Sequence, residues 1–303
     1  MLFRSNASTL PRTFLTLSHG YNLNRAGIIL IDPTNQKVLF ARDPDKPRAS
    51  ASVLKLISMT SALINLGADY QFTTALYQGK NPGEYVLIGN GDPWLAVNQF
   101  ETKKYHRASI ISMFTPAILN AAVNGVITID SYGVYKSDLA ALQANFSKVV
   151  KFQFNYLSSQ NTASALATNK LSEEISPKLS SIVKFTLLNS DNELADRLAR
   201  DAAIKMGFGG TNGGIEQSFL KVLGDLNIPT TGLKVFDGNG LSHKTRVSVR
   251  TLGDLLVKIR ATPSLEIIYQ GLPLAGKTGT LQNRFPSDAP NGVGLIKAKT
   301  GWI

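Results

Sequence analysis

Ser52 and Lys55 stand three residues apart in a chain of 303 residues, and on a helix that spacing places both side chains on one face, one turn apart. A serine is a weak nucleophile until a neighbouring base takes its proton. A lysine held in apolar surroundings is driven towards its neutral form and can be that base. Such a pair suits attack on a carbonyl, and unpaired amides at a helix start favour the negative charge that develops there. The same spacing equally describes a capping serine beside a snorkelling lysine, and it recurs at Ser181/Lys184 and Ser218/Lys221. Spacing alone leaves the three pairs equivalent.

Other chemistries find less support. The absence of cysteine removes disulfides, thiolate zinc sites and cysteine nucleophiles. His19, His106 and His243 are far apart and match no metal-ligand spacing, so neither a metal nor another cofactor is expected. No serine occupies a G-x-S-x-G elbow, which argues against a histidine base. Gly271-Leu272-Pro273-Leu274-Ala275-Gly276-Lys277-Thr278 satisfies the phosphate-loop pattern G-x-x-x-x-G-K-[ST]. A phosphate loop needs a strand before it and a helix after it. Only Ile267-Ile268-Tyr269 precedes it, and Gly279 and Pro286 would break a helix on its far side, so a nucleotide triphosphatase is a remote alternative.

With 43% hydrophobic and 17% charged residues the composition is that of an ordinary soluble protein. No apolar run approaches the roughly 20 residues of a membrane-spanning helix. Residues 1–24 carry Arg4 and Arg12 but no sustained apolar core, so no intact signal peptide is visible. The net charge of +11 suggests anionic partners. The cations are scattered and no zinc-finger or RNP signature occurs, which disfavours nucleic acid and leaves an anionic cell-envelope polymer.

The element carrying Ser52 spans 51–66. Its apolar residues, from Val53 and Leu54 to Leu63, Ile64 and Leu66, predict a helix buried on most of its circumference and stopped by Gly67. Two apolar runs at 27–32 and 37–41 flank Pro33-Thr34-Asn35-Gln36 and read as a hairpin, followed by a polar loop over 42–50. Strand, strand and helix in that order suggest an antiparallel sheet with a helix against it. Beyond Gly67, strands are expected at 84–88 and 126–130 and a helix over 109–124, while 135–174 is only weakly periodic. Helices are expected at 179–188, 193–206, 215–226 and 249–261; a place as N-cap of the second would explain Ser190 without any chemical role. Asp237-Gly238-Asn239-Gly240 reads as a tight turn, and 292–303 as a strand-like approach to Lys299-Thr300-Gly301. No internal repeat is present.

In order, Ser52/Lys55, Ser190-Asp191-Asn192 and Lys299-Thr300-Gly301 form the set found in class A β-lactamases and penicillin-binding proteins. Gly89-Asn90-Gly91-Asp92-Pro93, Leu188-Asn189-Ser190-Asp191-Asn192, Asp237-Gly238-Asn239-Gly240-Leu241-Ser242 and Gly279-Thr280-Leu281 through Arg284-Phe285 narrow the resemblance. Together they are similar to the D-alanyl-D-alanine carboxypeptidase/endopeptidase group of low-molecular-mass class C penicillin-binding proteins (DacB-like), from about Gly27 to the last residue. Only Ser52 stands well ahead of the other two motifs, which separates it from Ser181 and Ser218. A second Lys-Thr-Gly occurs at 277–279. The later one fits the group, because the stretch resembling 279–285 precedes the catalytic motif there and an alanine, here Ala298, stands before it.

The resemblance implies an α/β (α+β) fold with a β-lactamase/transpeptidase-like antiparallel sheet and flanking helices. The catalytic domain would be built from 25–69 and 176–303, with an inserted domain at 70–175. It implies hydrolysis of the terminal D-Ala-D-Ala bond of peptidoglycan stem peptides, on the extracytoplasmic side, by a serine that β-lactams also acylate. Ser52 would be nucleophile, Lys55 base and Ser190 proton relay. Asn192 would bind the substrate amide, Lys299 and Thr300 its carboxylate, and Gly301 would let its backbone lie close. The backbone N–H groups of Ser52 and Trp302 would form the oxyanion hole. Members of the group continue beyond the point matching Ile303 with further strands and a C-terminal helix, so the sequence is expected to be truncated. An inactive, truncated peptidoglycan-binding homologue is the alternative.

Overall fold

The computed structural model describes residues 12–20, 23–96 and 99–302; Arg4, with most of the segment read for a leader, and Ile303 lie outside them. Two compact units emerge, one formed by residues 1–67 and 183–303, the other by 68–182.

The first unit begins with helix α1 (Arg12–Ser18) and the hairpin β1 (Ile28–Ile31) and β2 (Val38–Arg42), paired antiparallel as the two apolar runs predict. Asp32 closes the turn by accepting from the backbone N–H and hydroxyl of Thr34 and from the amide of Asn35. After the polar loop, residues 51–54 form a single 3-10 turn that runs straight into α2 (Lys55–Leu66). Every residue of α2 from Lys55 to Leu63 is buried, and Gly67 ends the helix with φ +92. A helix buried on every side over nine residues belongs at the centre of a unit, and α2 is that centre.

The second unit is built on β3 (Thr73–Gln78), β4 (Glu84–Gly89), α3 (Gln99–Tyr105), α4 (Pro116–Asn120), β5 (Val126–Tyr132), α5 (Lys136–Phe146), β6 (Lys151–Tyr156), α6 (Gln160–Leu166) and β7 (Lys170–Ile175). Its sheet has the order β6-β5-β4-β3-β7, with β4, β5 and β6 parallel and β3 antiparallel to both neighbours. Leu76, Leu87, Ile127, Ile129, Leu139 and Phe152 lie in its core. The edge strand β7 carries Lys170, Glu173 and Glu174, charges that discourage further pairing. The helix expected over 109–124 is divided. Ser109 caps a 3-10 turn at Ile110–Met113, and Thr115 is extended because the ring of Pro116 disfavours helical backbone before it. The weakly periodic stretch resolves into α5, β6, α6 and β7; α5 buries only Asp138, Leu139 and Leu142, too few to write a clear period.

Helix α7 (Leu179–Asn189) begins in the second unit and ends in the first. Then come α8 (Asn192–Lys205), α9 (Asn212–Asp225), α10 (Val249–Ala261) and α11 (Glu266–Gln270). Helix α2 packs against α8 and α9, and α10 lies on β1. Leu194, Ala195, Leu198, Ala199 and Ala202 of α8 are fully buried; small side chains there let neighbouring backbone come close.

The last segment departs from expectation. No strand forms over 292–302: Lys297 makes one isolated antiparallel bridge to Leu274, while Ala275 donates to the Ile296 carbonyl and Ala298 to that of Pro273. Pro273 has no N–H to extend the ladder and Gly294 turns at φ +73, so the pairing stops after a few bonds. These bonds nonetheless hold the chain entering Lys299.

Candidate active site

Every side chain of the Ser-Lys, Ser-Asp-Asn and later Lys-Thr-Gly motifs belongs to the first unit. The 3-10 turn brings Ser52 to the threshold of α2 with Lys55 one turn on, its Nζ 2.7 Å from Ser52 Oγ. Residue Ala51, directly before the serine, is in the left-handed region at φ 49. Lys55 is 0% exposed. Its Nζ also lies 2.8 Å from Asn192 Oδ1 and 2.8 Å from the Asn239 carbonyl. Burial, followed by the charge of Lys299, pulls its pKa from 10.5 down to about 7; Asp191 and Asp237 oppose the shift. As a neutral amine Lys55 has two N–H bonds and one lone pair. Asn192 Oδ1 and the Asn239 carbonyl only accept, so they take the two N–H bonds, and the lone pair is left facing the Ser52 hydroxyl. That is the arrangement a general base requires.

Ser190 is not the cap of α8. Asp191 caps that helix, accepting from the N–H of Leu194 at 2.9 Å. Ser190 instead closes α7: it is left-handed at φ 56, and the Asp191 N–H returns to the Thr186 carbonyl at 3.0 Å. This is a Schellman ending with serine where glycine usually stands. Two helices thus meet with one residue between their caps, and the Ser190 hydroxyl is spared capping work. It accepts from Lys299 Nζ at 2.9 Å, and Lys299 also donates to the Thr300 carbonyl at 2.8 Å. Burial lowers the Lys299 pKa to about 8. The hydroxyls of Thr300 and Thr280 are 3.1 Å apart, which ties the Gly279-Thr280-Leu281 stretch to the site.

Gly301 also makes a close approach within the chain. A side chain there would meet Ala51 Cβ at 2.9 Å, the Ser50 carbonyl at 3.1 Å and Val53 Cγ2 at 3.2 Å, so the glycine lets the Lys-Thr-Gly segment press on the turn bearing Ser52. The Trp302 side chain is 87% exposed and joins none of these contacts. Lys277 of the earlier Lys-Thr-Gly is exposed in a turn. The short helix α11 precedes its phosphate-loop pattern and a single 3-10 turn, Gly279–Leu281, comes after it, so the strand and helix that a phosphate loop needs are both lacking there. The other serine-lysine pairs also fall away. Ser218 is buried, with its hydroxyl 2.8 Å from that of Ser61, and Lys221 is paired with Asp225; Ser181 and Lys184 are exposed.

Asn239 was not among the expected site residues. Its turn is built by Asp237, whose carboxylate accepts from the N–H groups of Gly240 and Ser242 at 2.9 and 2.6 Å. Gly240 has φ +84, and a Cβ there would stand 1.9 Å from the Ala51 carbonyl. The D-G-N-G turn signal was visible in the sequence; that its second-last carbonyl faces Lys55, 184 positions away, was not.

A buried lysine beside a serine, with a hydroxyl and a second lysine next to them, has the parts that serine-lysine acyl transfer requires. The sequence matches the D-Ala-D-Ala carboxypeptidase 3 (S13) family over residues 18–119 and 146–303, and the chain belongs to that family. It is a D-Ala-D-Ala carboxypeptidase. Among relatives, a carboxypeptidase of Mycobacterium tuberculosis is 25% identical over 90% of this chain and 70% of its own length. Carboxypeptidase DacB of Mycolicibacterium smegmatis is 26% identical over 87% of this chain and 67% of its own. The fold matches that of penicillin binding protein 4 (dacB) from Haemophilus influenzae with a TM-score of 0.68 at 19% identity, covering 97% of this chain and 88% of that one.

Proposed function

We propose that the carboxypeptidase reaction runs through an acyl-enzyme on Ser52. The observation that carries this reading is Lys55: buried, 2.7 Å from Ser52 Oγ, with its other two neighbours able only to accept. Lys55 takes the hydroxyl proton as Oγ bonds to the carbonyl carbon of the penultimate D-alanine. The oxyanion is held by the backbone N–H groups of Ser52 and Trp302. Collapse breaks the C–N bond, and the terminal D-alanine leaves after its nitrogen receives a proton through Ser190. Water, deprotonated by the same lysine, then hydrolyses the ester and restores Ser52. Lys299 and Thr300 receive the substrate's terminal carboxylate, a charge-assisted contact that a buried cation strengthens. Asn192 serves two purposes, orienting Lys55 and binding the substrate amide. β-Lactams enter the first half of this sequence and stop at the ester.

The substrates are peptidoglycan stem peptides, so the reaction belongs outside the cytoplasm, and the net charge of +11 favours residence near anionic envelope polymers. Among the described residues no helix is long and apolar enough to cross a membrane. The assembled Ser52–Lys55–Asn192 set supports an active enzyme, and no observation favours the inactive reading. Fluorescent penicillin is expected to label the purified chain covalently, and Ser52→Ala to abolish the labelling. Label that survives the substitution would place the nucleophile elsewhere.

A further inference from the structure

The carbonyl that receives Lys55 belongs to a turn that Asp237 closes on its C-terminal side, through the N–H groups of Gly240 and Ser242. A D-G-N-G turn contains two glycines, and a peptide flanked by glycine rotates easily. Two side chains outside the turn remove that freedom. Ser58, fully buried on α2 one turn beyond Lys55, donates to the Gly238 carbonyl at 2.5 Å. Asp196, on α8, accepts from the Gly238 N–H at 2.7 Å through Oδ1 and holds Arg200 through Oδ2. The residue directly before Asn239 is therefore gripped at both its N–H and its C=O, by the two helices that also carry Lys55 and Asn192.

We infer that Ser58 and Asp196 are positioning residues for the carboxypeptidase reaction, holding the turn so that the Asn239 carbonyl captures one N–H of Lys55 and leaves its lone pair for Ser52. Neither side chain touches Ser52. Of the buried hydroxyls of α2, Thr60 donates to its own helix at Leu56 and Ser61 meets Ser218, while Ser58 reaches the turn; a buried hydroxyl costs stability unless it is bonded, and the partner of Ser58 is the Gly238 carbonyl. The titratable groups that bear on Lys55 are Lys299 from the C-terminal segment, Asp191 at the cap of α8 and Asp237 in the turn. If the turn relaxes, Lys55 loses an acceptor that stabilises its ammonium and Asp237 moves away. Both changes favour the neutral amine, so the acid limb of the acylation profile moves to lower pH while the rate falls for want of alignment.

This inference rests on Ser52 and Lys55 being nucleophile and base. The test measures the second-order rate of acylation by a fluorescent penicillin against pH, for the whole chain and for Ser58→Ala, Asp196→Ala, Asp196→Asn and Ser52→Ala. Ser58→Ala and Asp196→Ala are each expected to lose about tenfold in rate, with the acid limb displaced to lower pH. Asp196→Asn keeps an oxygen for the Gly238 N–H and is expected to stay within about twofold of the parent with an unmoved limb; because it also lacks the carboxylate charge, it separates the hydrogen bond from the charge. Folded Ser58→Ala and Asp196→Ala proteins with the parent profile, or with fewer active molecules but an unmoved limb, would overturn the inference. Should Ser58→Ala not fold, the two Asp196 variants decide alone. Labelling that persists in Ser52→Ala would instead overturn the reading of the site, so the two failures are distinguishable.

Discussion

A fully buried lysine with no carboxylate among its hydrogen-bond partners has only one inexpensive state, the neutral one. Lys55 meets that condition, and with its pKa near 7 it is available as a base at neutral pH. Lys299 has the opposite task, because it must stay charged to hold a carboxylate, and its pKa is near 8. The two values bracket a working range. Acylation should rise with pH as Lys55 deprotonates around 7 and fall as Lys299 does so around 8. A bell-shaped kcat/KM on a D-Ala-D-Ala peptide, which reports the free enzyme, is the expected result, and a profile flat from pH 6 to pH 9 would contradict it. At this scale the candidate residues were readable from motif order, yet the decisive fact about Lys55, its two acceptor-only neighbours, was not. Asn239 contributes a carbonyl, and every residue has one, so its type carries no signal.

Elements rather than residues decide where the chemistry points. The Ser52 helix was legible because Leu54, Leu56, Ile57, Met59, Leu63 and their apolar neighbours recur at helical spacing up to a glycine stop. The bland explanation of Ser190, a cap for α8, could not be set aside in the sequence because Ser and Asp both cap well; the path of the chain out of α7 selects Asp191. The strand expected before Lys299 failed for a different reason: apolar residues alone cannot pair with a proline that lacks a donor. Gly240 gives the element-scale prediction. A side chain there would collide with the Ala51 carbonyl in a backbone conformation that already resists it. Gly240→Ala should cost about 2–4 kcal/mol and slow acylation of the molecules that stay folded. Thermal melts run beside penicillin titrations would show this, and a variant with parental melting and acylation would refute the packing argument.

Over the whole molecule the buried lysines exact a cost that varies with pH. In the native chain Lys55 titrates near 7, against 10.5 without its surroundings. Between those values the unfolded chain holds a proton that the native chain does not, so stability rises with pH across the window, and the full cost is present below it. Lys299 adds a smaller effect of the same sign. Lys55→Met should remove the Lys55 part of that slope and add about 1 kcal/mol at pH 7, the relief from burying an ammonium less the Asn192 and Asn239 bonds it breaks. Denaturant melts at pH 6, 8 and 9.5 would test the slope, and an unchanged one would show that Lys55 is not the cause.

We propose the residues from about 70 to 175 as a folding unit in its own right. In that unit buried Arg107 donates to the Trp94 and Pro93 carbonyls, pairs with Glu101 at 3.2 Å and lies over the Trp94 ring. Arg107→Ala should destabilise that unit by about 3 kcal/mol. Hydrogen exchange is then expected to rise over 84–96 and 107–118 while penicillin still labels Ser52; loss of both together would mean the units unfold as one.

The sequence by itself determined the order of three motifs, the hairpin, the buried helix and most of the later helices, since periodicity and turn residues are local and each is written within a few positions. Motif order and resemblance also chose Ser52 among three serine-lysine pairs and the later Lys-Thr-Gly of two; tertiary structure alone decided that Lys55 is enclosed, that Lys299 meets Ser190, and which backbone carbonyl orients the lysine. Those are contacts across more than a hundred residues, made by groups that spacing does not distinguish. The serine and the lysine were together in the sequence from the start, but what makes the lysine a base is the burial and the two oxygens that the rest of the chain folds around it.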